Sequence, residues 1–185
     1  MALTHAMTPV EAARTIGRTY VEVDDFSTAG QMRTKRAYSQ IADTVADLFD
    51  DIQVPVVFQS EDPYDDYRDM AETVAREQQL RVYNQHTDHR YFTHEEQLMF
   101  RAVHDWHGHL AADVNFRPEG EYRKWEHMCP FFDTEDQRRV MFAEVVGQVG
   151  AVFYLDDGFA DPRFEQRSII APKWWVRTMR DAVEY

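Results

Sequence analysis

Apolar residues recur at helical spacing along most of this 185-residue chain. Between residues 29 and 51 they follow the spacing of one helix face, which predicts an amphipathic helix carrying Met32, Ala37, Ile41, Val45, Leu48 and Phe49. Thr8 and Thr93 are each followed three residues later by glutamate, the capping-box pattern that opens a helix. The second of these two helices is predicted to run to about residue 112. Further helices are predicted over 65–79, 118–128 and 134–155, and from Pro172 onwards.

Two short runs rich in β-branched and aromatic residues break the helical pattern. They are "VPVVFQ" at 54–59 and "LRVYN" at 80–84, and a predicted helix lies between them. A strand, a helix and a second strand within about 30 residues form the βαβ unit, in which the two strands are parallel. No repeat or Pro/Gly/Ser-rich linker divides the chain. The sequence therefore predicts a mostly helical α+β fold over 1–185 as one domain, with a small sheet near 54–84 and a helical half.

Composition limits the classes of protein and site to which the chain can belong. Hydrophobic residues make up 44% of the chain, enough for a packed core. No apolar run reaches the roughly 20 residues of a membrane helix, and the first 17 residues lack a signal-peptide apolar region, so a cytoplasmic location is predicted. Cys129 is the single cysteine, which excludes both an internal disulfide and a multi-cysteine zinc site. Any metal site must therefore use histidine and carboxylate ligands.

The net charge of −13 makes nucleic acid an unfavourable partner, because an acidic surface repels phosphates. Arginine greatly outnumbers lysine among the 20 basic residues, since only Lys35, Lys124 and Lys173 are lysine. This bias is typical of a GC-rich coding sequence or a salt-adapted host.

Seven of the eight histidines fall between residues 86 and 127, a density that favours a site over chance usage. In the predicted helix that ends near 112, Asp105 and His109 are four residues apart and would share a face. His104 and His107 are three apart on a neighbouring face, which Gly108 leaves open. One helix cannot direct all of these side chains to one ion, so the sequence leaves open whether His107 or His109 lies nearest His104.

The ligands that complete such a site are predicted to come from the next helix. The predicted ligands of a divalent zinc, iron or manganese ion are His104, His109, Glu121 and His127. Asp105 is predicted to orient an imidazole or to join the metal. At least two of the three histidines upstream, His86, His89 and His94, are predicted to face solvent. Trp106 and Trp125 are predicted to belong to the core.

Glu144 and Gln148 lie four residues apart in "VMFAEVVGQVGAVF", an almost wholly apolar helix. Burying a carboxylate is unfavourable unless it is paired or metal-bound, so Glu144 is predicted to be a catalytic base or a ligand. Gln148 is predicted to position substrate or water. Arg101 and Arg123, with Arg117 nearby, are candidates for binding an anionic substrate.

Two resemblances involve these residues. "HDWHGH" resembles the His-Asp motif of HD-domain phosphohydrolases, whose helix holds a divalent metal. The order "FRAVHDWHGH", "EGEYRKWEH" and "AEVVGQ" is similar to an uncharacterised family of tailed phages and mobile elements over residues 98–148. That likeness covers His104, Asp105, His109, Gly120, Glu121, Trp125, His127, Glu144 and Gln148. It implies a shared site and a phage origin, without naming a reaction.

The leading hypothesis is a metal-dependent hydrolase of a phosphoester or nucleotide-like small molecule. An iron-dependent oxygenase in a helical bundle is an alternative, although the Glu-x-x-His pairs of di-iron bundles do not occur in the sequence. A third hypothesis is an acidic, non-enzymatic protein that binds a host factor or a second copy of itself. For that role the C-terminal "PKWWVRTMR" offers Trp174 and Trp175 beside Lys173, Arg177 and Arg180.

Overall fold

The computed structural model describes residues 7–23 and 28–184. The first six residues, part of the segment that predicted a cytoplasmic location, lie outside this range. The elements are α1 (Pro9–Glu22), α2 (Thr28–Asp50), β1 (Val56–Gln59), α3 (Tyr67–Glu77), β2 (Leu80–Tyr83), α4 (His94–Val103), α5 (Pro118–Met128), α6 (Glu135–Phe142), α7 (Gln148–Tyr154) and α8 (Lys173–Glu184). Of the described helices, none is long and apolar enough to span a lipid bilayer.

The predicted fold class is confirmed, because β1 and β2 form a small parallel sheet within a mostly helical domain. Val56 lies opposite Leu80, and the register continues to Gln59 opposite Tyr83. Helix α3 connects the two strands, as the strand–helix–strand pattern predicted. Both capping boxes are also confirmed, at Thr8 with Glu11 and at Thr93 with Glu96.

Two wide helical turns were not predicted from the sequence. Helix α4 continues into a π-helical segment at His104–Leu110, where the amide of Ala111 donates to the carbonyl of Trp106 five residues earlier. A second π segment, Ala143–Gly147, joins α6 to α7, and there the Gln148 amide donates to Ala143. Turns of this kind are rare and are often found at functional sites. The first segment contains the candidate site residues His104, Asp105 and His109, and the second contains Glu144.

The main core lies between α1, α2, the α6–α7 helix and α8. Trp175 is fully buried in this core, whereas Trp174 is 36% exposed at its edge. Of the two tryptophans predicted for a contact surface, only Trp174 is therefore exposed. Trp175 packs helix α8 against the main core. Trp106 and Trp125 are half-buried and pack against core residues.

Helices α1 and α7 cross with their backbones in contact at Gly17 and Gly150. A Cβ atom at position 17 would lie 1.9 Å from the Gly150 carbonyl oxygen. Gly17→Ala is therefore expected to force the helices apart and to lower the free energy of unfolding by about 1–3 kcal/mol in urea denaturation. The control is Arg18→Ala on the exposed face of the same helix, for which a change within about 0.5 kcal/mol is expected. Equal effects of the two substitutions would contradict this account.

Candidate metal centre

The first π segment brings two imidazoles together that an α-helix would separate. In an α-helix, five residues at about 100° each would place His109 roughly 140° around the axis from His104. The i→i+5 hydrogen bonding places residues five apart on the same face instead. The ring centroids of His104 and His109 lie 4.8 Å apart, so His109 is the nearer partner of His104.

Helix α5 supplies a carboxylate to the same point. Glu121 is buried, and its Oε1 lies 3.2 Å from Nε2 of His109 while its Oε2 lies 3.8 Å from Nε2 of His104. One ligand atom from each of these three residues can be chosen so that all lie within 4.8 Å of one another. Two ligands bound at about 2.1 Å to a tetrahedral zinc ion are about 3.4 Å apart, close to the two distances between the Glu121 carboxylate and the imidazoles, so these three residues could hold a metal ion.

The remaining nitrogen of each imidazole is hydrogen-bonded. Nδ1 of His104 lies 2.9 Å from Oδ1 of Asp105, and Nδ1 of His109 lies 3.0 Å from the carbonyl oxygen of Val114. That carbonyl reaches the ring because the chain reverses at Asp113, whose φ of 53° is left-handed. Since both partners are acceptors, Nδ1 carries the proton in each ring and Nε2 presents a lone pair. Hydrogen bonds of this type orient the histidine ligands of metal sites.

A buried lysine shares this space. Lys124 follows Glu121 by three residues on α5, and its side chain is 0% exposed. Its Nζ is in hydrogen-bond contact with Nε2 of His104 and Oε2 of Glu121, and lies 3.2 Å from Nε2 of His109. We call His104, His109, Glu121 and Lys124 the cation cluster. The two imidazole nitrogens and the carboxylate oxygen thus surround the ammonium group of Lys124.

Burial and neighbouring charges shift the pKa values within the cation cluster. Burial and the Lys124 charge lower the pKa of His109 to about 4, so this ring is neutral near pH 7. Burial opposes ionisation of Glu121, but Lys124 and the two histidines hold the pKa of its carboxyl well below the usual value. Burial and the Lys124 charge also oppose protonation of His104, yet the nearby carboxylates of Asp105 and Glu121 raise its pKa. The carboxylates of Asp105 and Glu121 therefore both favour a positive charge at the His104 imidazole.

A surface cleft of about 210 Å³ reaches the cation cluster at His104. His104 and Asp105 form part of its wall, and their side chains are 25% and 20% exposed. Tyr64, Phe116 and Asp62 also line the cleft. His104 is thus the member of the cluster that a small molecule can approach from outside.

The structure does not bring the other two candidate histidines to the cation cluster. His127 lies six residues after Glu121, about 240° further around α5, and is exposed. The Nε2 atom of His107 bonds to the Leu48 carbonyl oxygen at 2.8 Å and so joins α2 to the π segment. His86 and His94 are exposed, in agreement with the expectation for at least two of the three upstream histidines.

Glu144 belongs to a separate buried network on the second π segment. The Tyr38 hydroxyl donates to Oε1 of Glu144, and Nε2 of Gln166 donates to Oε2 at 2.9 Å. His89 completes the network, with Nε2 3.4 Å from Oε1 of Glu144 and 3.2 Å from the Ser168 hydroxyl. We call these five residues the Glu144 network. They explain how an apolar helix accommodates a carboxylate, because three donors satisfy it.

The Glu144 network does not have the geometry of a serine hydrolase triad. Nδ1 of His89 accepts the backbone N–H groups of Tyr91 and Phe92, at 3.1 and 2.9 Å. In the neutral ring the proton is therefore on Nε2, which faces Ser168. A ring in this tautomer cannot remove the serine proton. The network instead holds the segments around 89 and 166–168 against α2 and the π turn.

The remaining predicted site residues are engaged elsewhere or exposed. The Arg101 guanidinium lines the cleft but donates to three backbone carbonyl oxygens, those of Tyr83, Gln85 and His86, at 2.6–2.8 Å. Arg123 is exposed on α5 and is not part of the cleft wall. Gln148 is half-buried. Within the described part of the chain, no hydrogen bond joins its side chain to the cation cluster or to the Glu144 network.

Five residues of these two groups were not predicted from the sequence: Lys124 in the cation cluster, and Tyr38, His89, Gln166 and Ser168 in the Glu144 network. Lys124 stands in "EYRKWEH", where a lysine beside other charged residues is typical of a solvated helix face. The rarity of lysine gave no signal either, since the other two lysines, Lys35 and Lys173, are exposed. His89 lies in a polar segment that contained no signal of burial.

The chain matches no model of a known protein family, and comparison with curated proteins and with solved structures also finds no match.

Proposed function

We propose that this protein is a metal-dependent hydrolase of small molecules, with one divalent ion held by His104, His109 and Glu121. The observation that supports this most directly is the pair of oriented imidazoles, whose Nε2 atoms could hold a metal ion together with the Glu121 carboxylate. Two histidines and one glutamate, with a further position open to water, are the ligand set of several catalytic zinc sites.

An ion bound there would lower the pKa of a coordinated water towards about 7 and so supply hydroxide at neutral pH. Asp105 would orient His104 through the Nδ1 hydrogen bond. Asp62, the other carboxylate in the cleft wall, is the candidate to receive a proton from the nucleophile. The aromatic side chains of Tyr64 and Phe116 would contact the substrate.

The cleft gives no particular support to a phosphoester among the possible substrates. The guanidinium of Arg101 already donates to backbone carbonyl groups, and Arg123 lies elsewhere on the surface. The volume of about 210 Å³ fits a small ester or amide as well as a small phosphoester.

The metal content of protein purified without an affinity tag tests the site. Plasma mass spectrometry is expected to find about one zinc, iron or manganese ion per wild-type chain and almost none in His109→Ala, which removes a ligand. His127→Ala is the matched control, since it removes an exposed histidine from α5 and is expected to keep the ion.

The same preparations test the reaction. Chromogenic esters, amides and phosphoesters small enough for the cleft are expected to include a substrate whose hydrolysis stops with a chelator and returns with the ion. Metal retained equally by His109→Ala would contradict the ligand assignment. Bound metal without metal-dependent hydrolysis of any of the three classes would contradict the hydrolase.

A further inference from the structure

The ammonium of Lys124 contacts the same three side chains that the proposed function assigns to the metal ion. We propose that Lys124 is an internal cation that occupies the metal position in the metal-free protein and withdraws when a divalent ion binds. This inference rests on the proposed function, because it describes how access to that same site is controlled.

The number and direction of the hydrogen bonds fit this role. An ammonium has three donors and no acceptor, and it meets three acceptors here: Nε2 of His104, Nε2 of His109 and a carboxylate oxygen of Glu121. Both Nε2 atoms are free to accept because Asp105 and Val114 hold the protons on the Nδ1 side. Lys124 and Glu121 also neutralise each other, so the buried cluster needs no further ion to be satisfied.

The path of the lysine stem is built into the packing of α5 on the π segment. A Cβ atom at position 108 would lie 2.7 Å from both Cγ and Cδ of Lys124. Gly108 therefore provides the groove through which the stem reaches the cluster. Arginine, the common basic residue of this chain, would bring a planar guanidinium with five donors, whereas a compact ammonium matches a triangle of three acceptors.

The ammonium and a divalent ion exclude each other. An ion bound to the three ligand atoms would be centred where Nζ now lies, and two positive charges at bonding distance in a buried site repel strongly. The incoming ion must therefore displace Lys124, and the free energy of the three lysine hydrogen bonds is subtracted from that of ion binding.

Metal affinity in a lysine variant tests the competition. Lys124→Met keeps the length of the side chain and removes its charge, and it is expected to bind Zn²⁺ at least about tenfold more tightly than the wild type, measured against a chromophoric chelator. Lys35→Met is the matched control, because Lys35 is exposed on α2, and an unchanged affinity is expected. Affinity in Lys124→Met that equals or falls below that of the wild type would overturn the proposal.

A second measurement uses the wild-type chain and does not depend on the folding of a variant. Lys124 is expected to react slowly with an amine-acylating reagent in chelated protein and several-fold faster after Zn²⁺ is added, as peptide mass spectrometry can determine. Equal acylation of Lys124 with and without bound Zn²⁺ would overturn the displacement. If neither the wild type nor Lys124→Met binds Zn²⁺, the proposed function itself fails, and this outcome is distinct from a failure of the competition alone.

Discussion

Replacing Glu144 with alanine is expected to lower the free energy of unfolding by about 3–5 kcal/mol, because three buried donors lose their shared acceptor. Tyr38, His89 and Gln166 all direct a donor towards this carboxylate. The side chains of His89 and Glu144 are 0% and 1% exposed, so water cannot easily replace the lost bonds. Chemical denaturation of the wild type and the variant, with the slope checked for constancy, measures the difference.

Glu165→Ala is the matched control for this substitution. Its side chain is 70% exposed, and its bond to Arg167 lies at the surface close in sequence to Gln166. A surface ion pair of this kind contributes at most about 1 kcal/mol. If the Glu144 variant lost no more stability than the Glu165 variant, the Glu144 network would not be holding its segments to the core.

Acid is expected to destabilise the metal-free protein strongly through His109. The pKa of this ring is about 4 in the folded protein, because of burial and the Lys124 charge, against about 6.5 for an unfolded histidine. Between these two values the unfolded chain binds more protons than the folded chain, so stability falls as the pH falls from 6.5 to 4. The loss from this residue amounts to about 3 kcal/mol when both states are protonated.

Glu121 is expected to cause a further loss of stability at lower pH. Its folded pKa is also depressed, chiefly through Lys124 acting against burial, so its contribution is present above pH 4.5 and is lost as the pH falls further. Thermal or urea unfolding of chelated protein from pH 7 to 4 measures the slope. His109→Gln is expected to flatten it, whereas His127→Gln, at an exposed position, is expected to leave it unchanged. Parallel slopes in wild type and His109→Gln would exclude His109 as the cause.

The secondary structure could be predicted largely because its signals are local. The capping boxes at Thr8 and Thr93 and the β-branched run at 54–59 each depend on a few adjacent residues, and the structure confirms all three. The candidate site was harder, since it depends on contacts between distant segments. Glu121 could be nominated from residue type alone. The exposure of His127 depends on which face of α5 packs inwards.

The pairing of His104 with His109 could not be derived from an α-helical period. At about 100° per residue the sequence paired Asp105 with His109, and only the wide turn brings the two imidazoles together. Glu144 shows the opposite case. Its burial was correctly expected from the apolar helix around it, but its partners Tyr38 and Gln166 are 106 and 22 residues away, beyond any local pattern.

The wide turn at His104–Leu110 also makes the geometry of the cation cluster depend on residue count. A turn closed by an i→i+5 bond contains one residue more than an α-helical turn. Deleting one residue between His104 and His109 and restoring ordinary helical winding would leave the two imidazoles four residues apart, about 40° around the axis and still on one face. Straightening the turn with every residue retained would instead place the two imidazoles about 140° apart, so the ligand pair depends on the extra residue and the wide winding together.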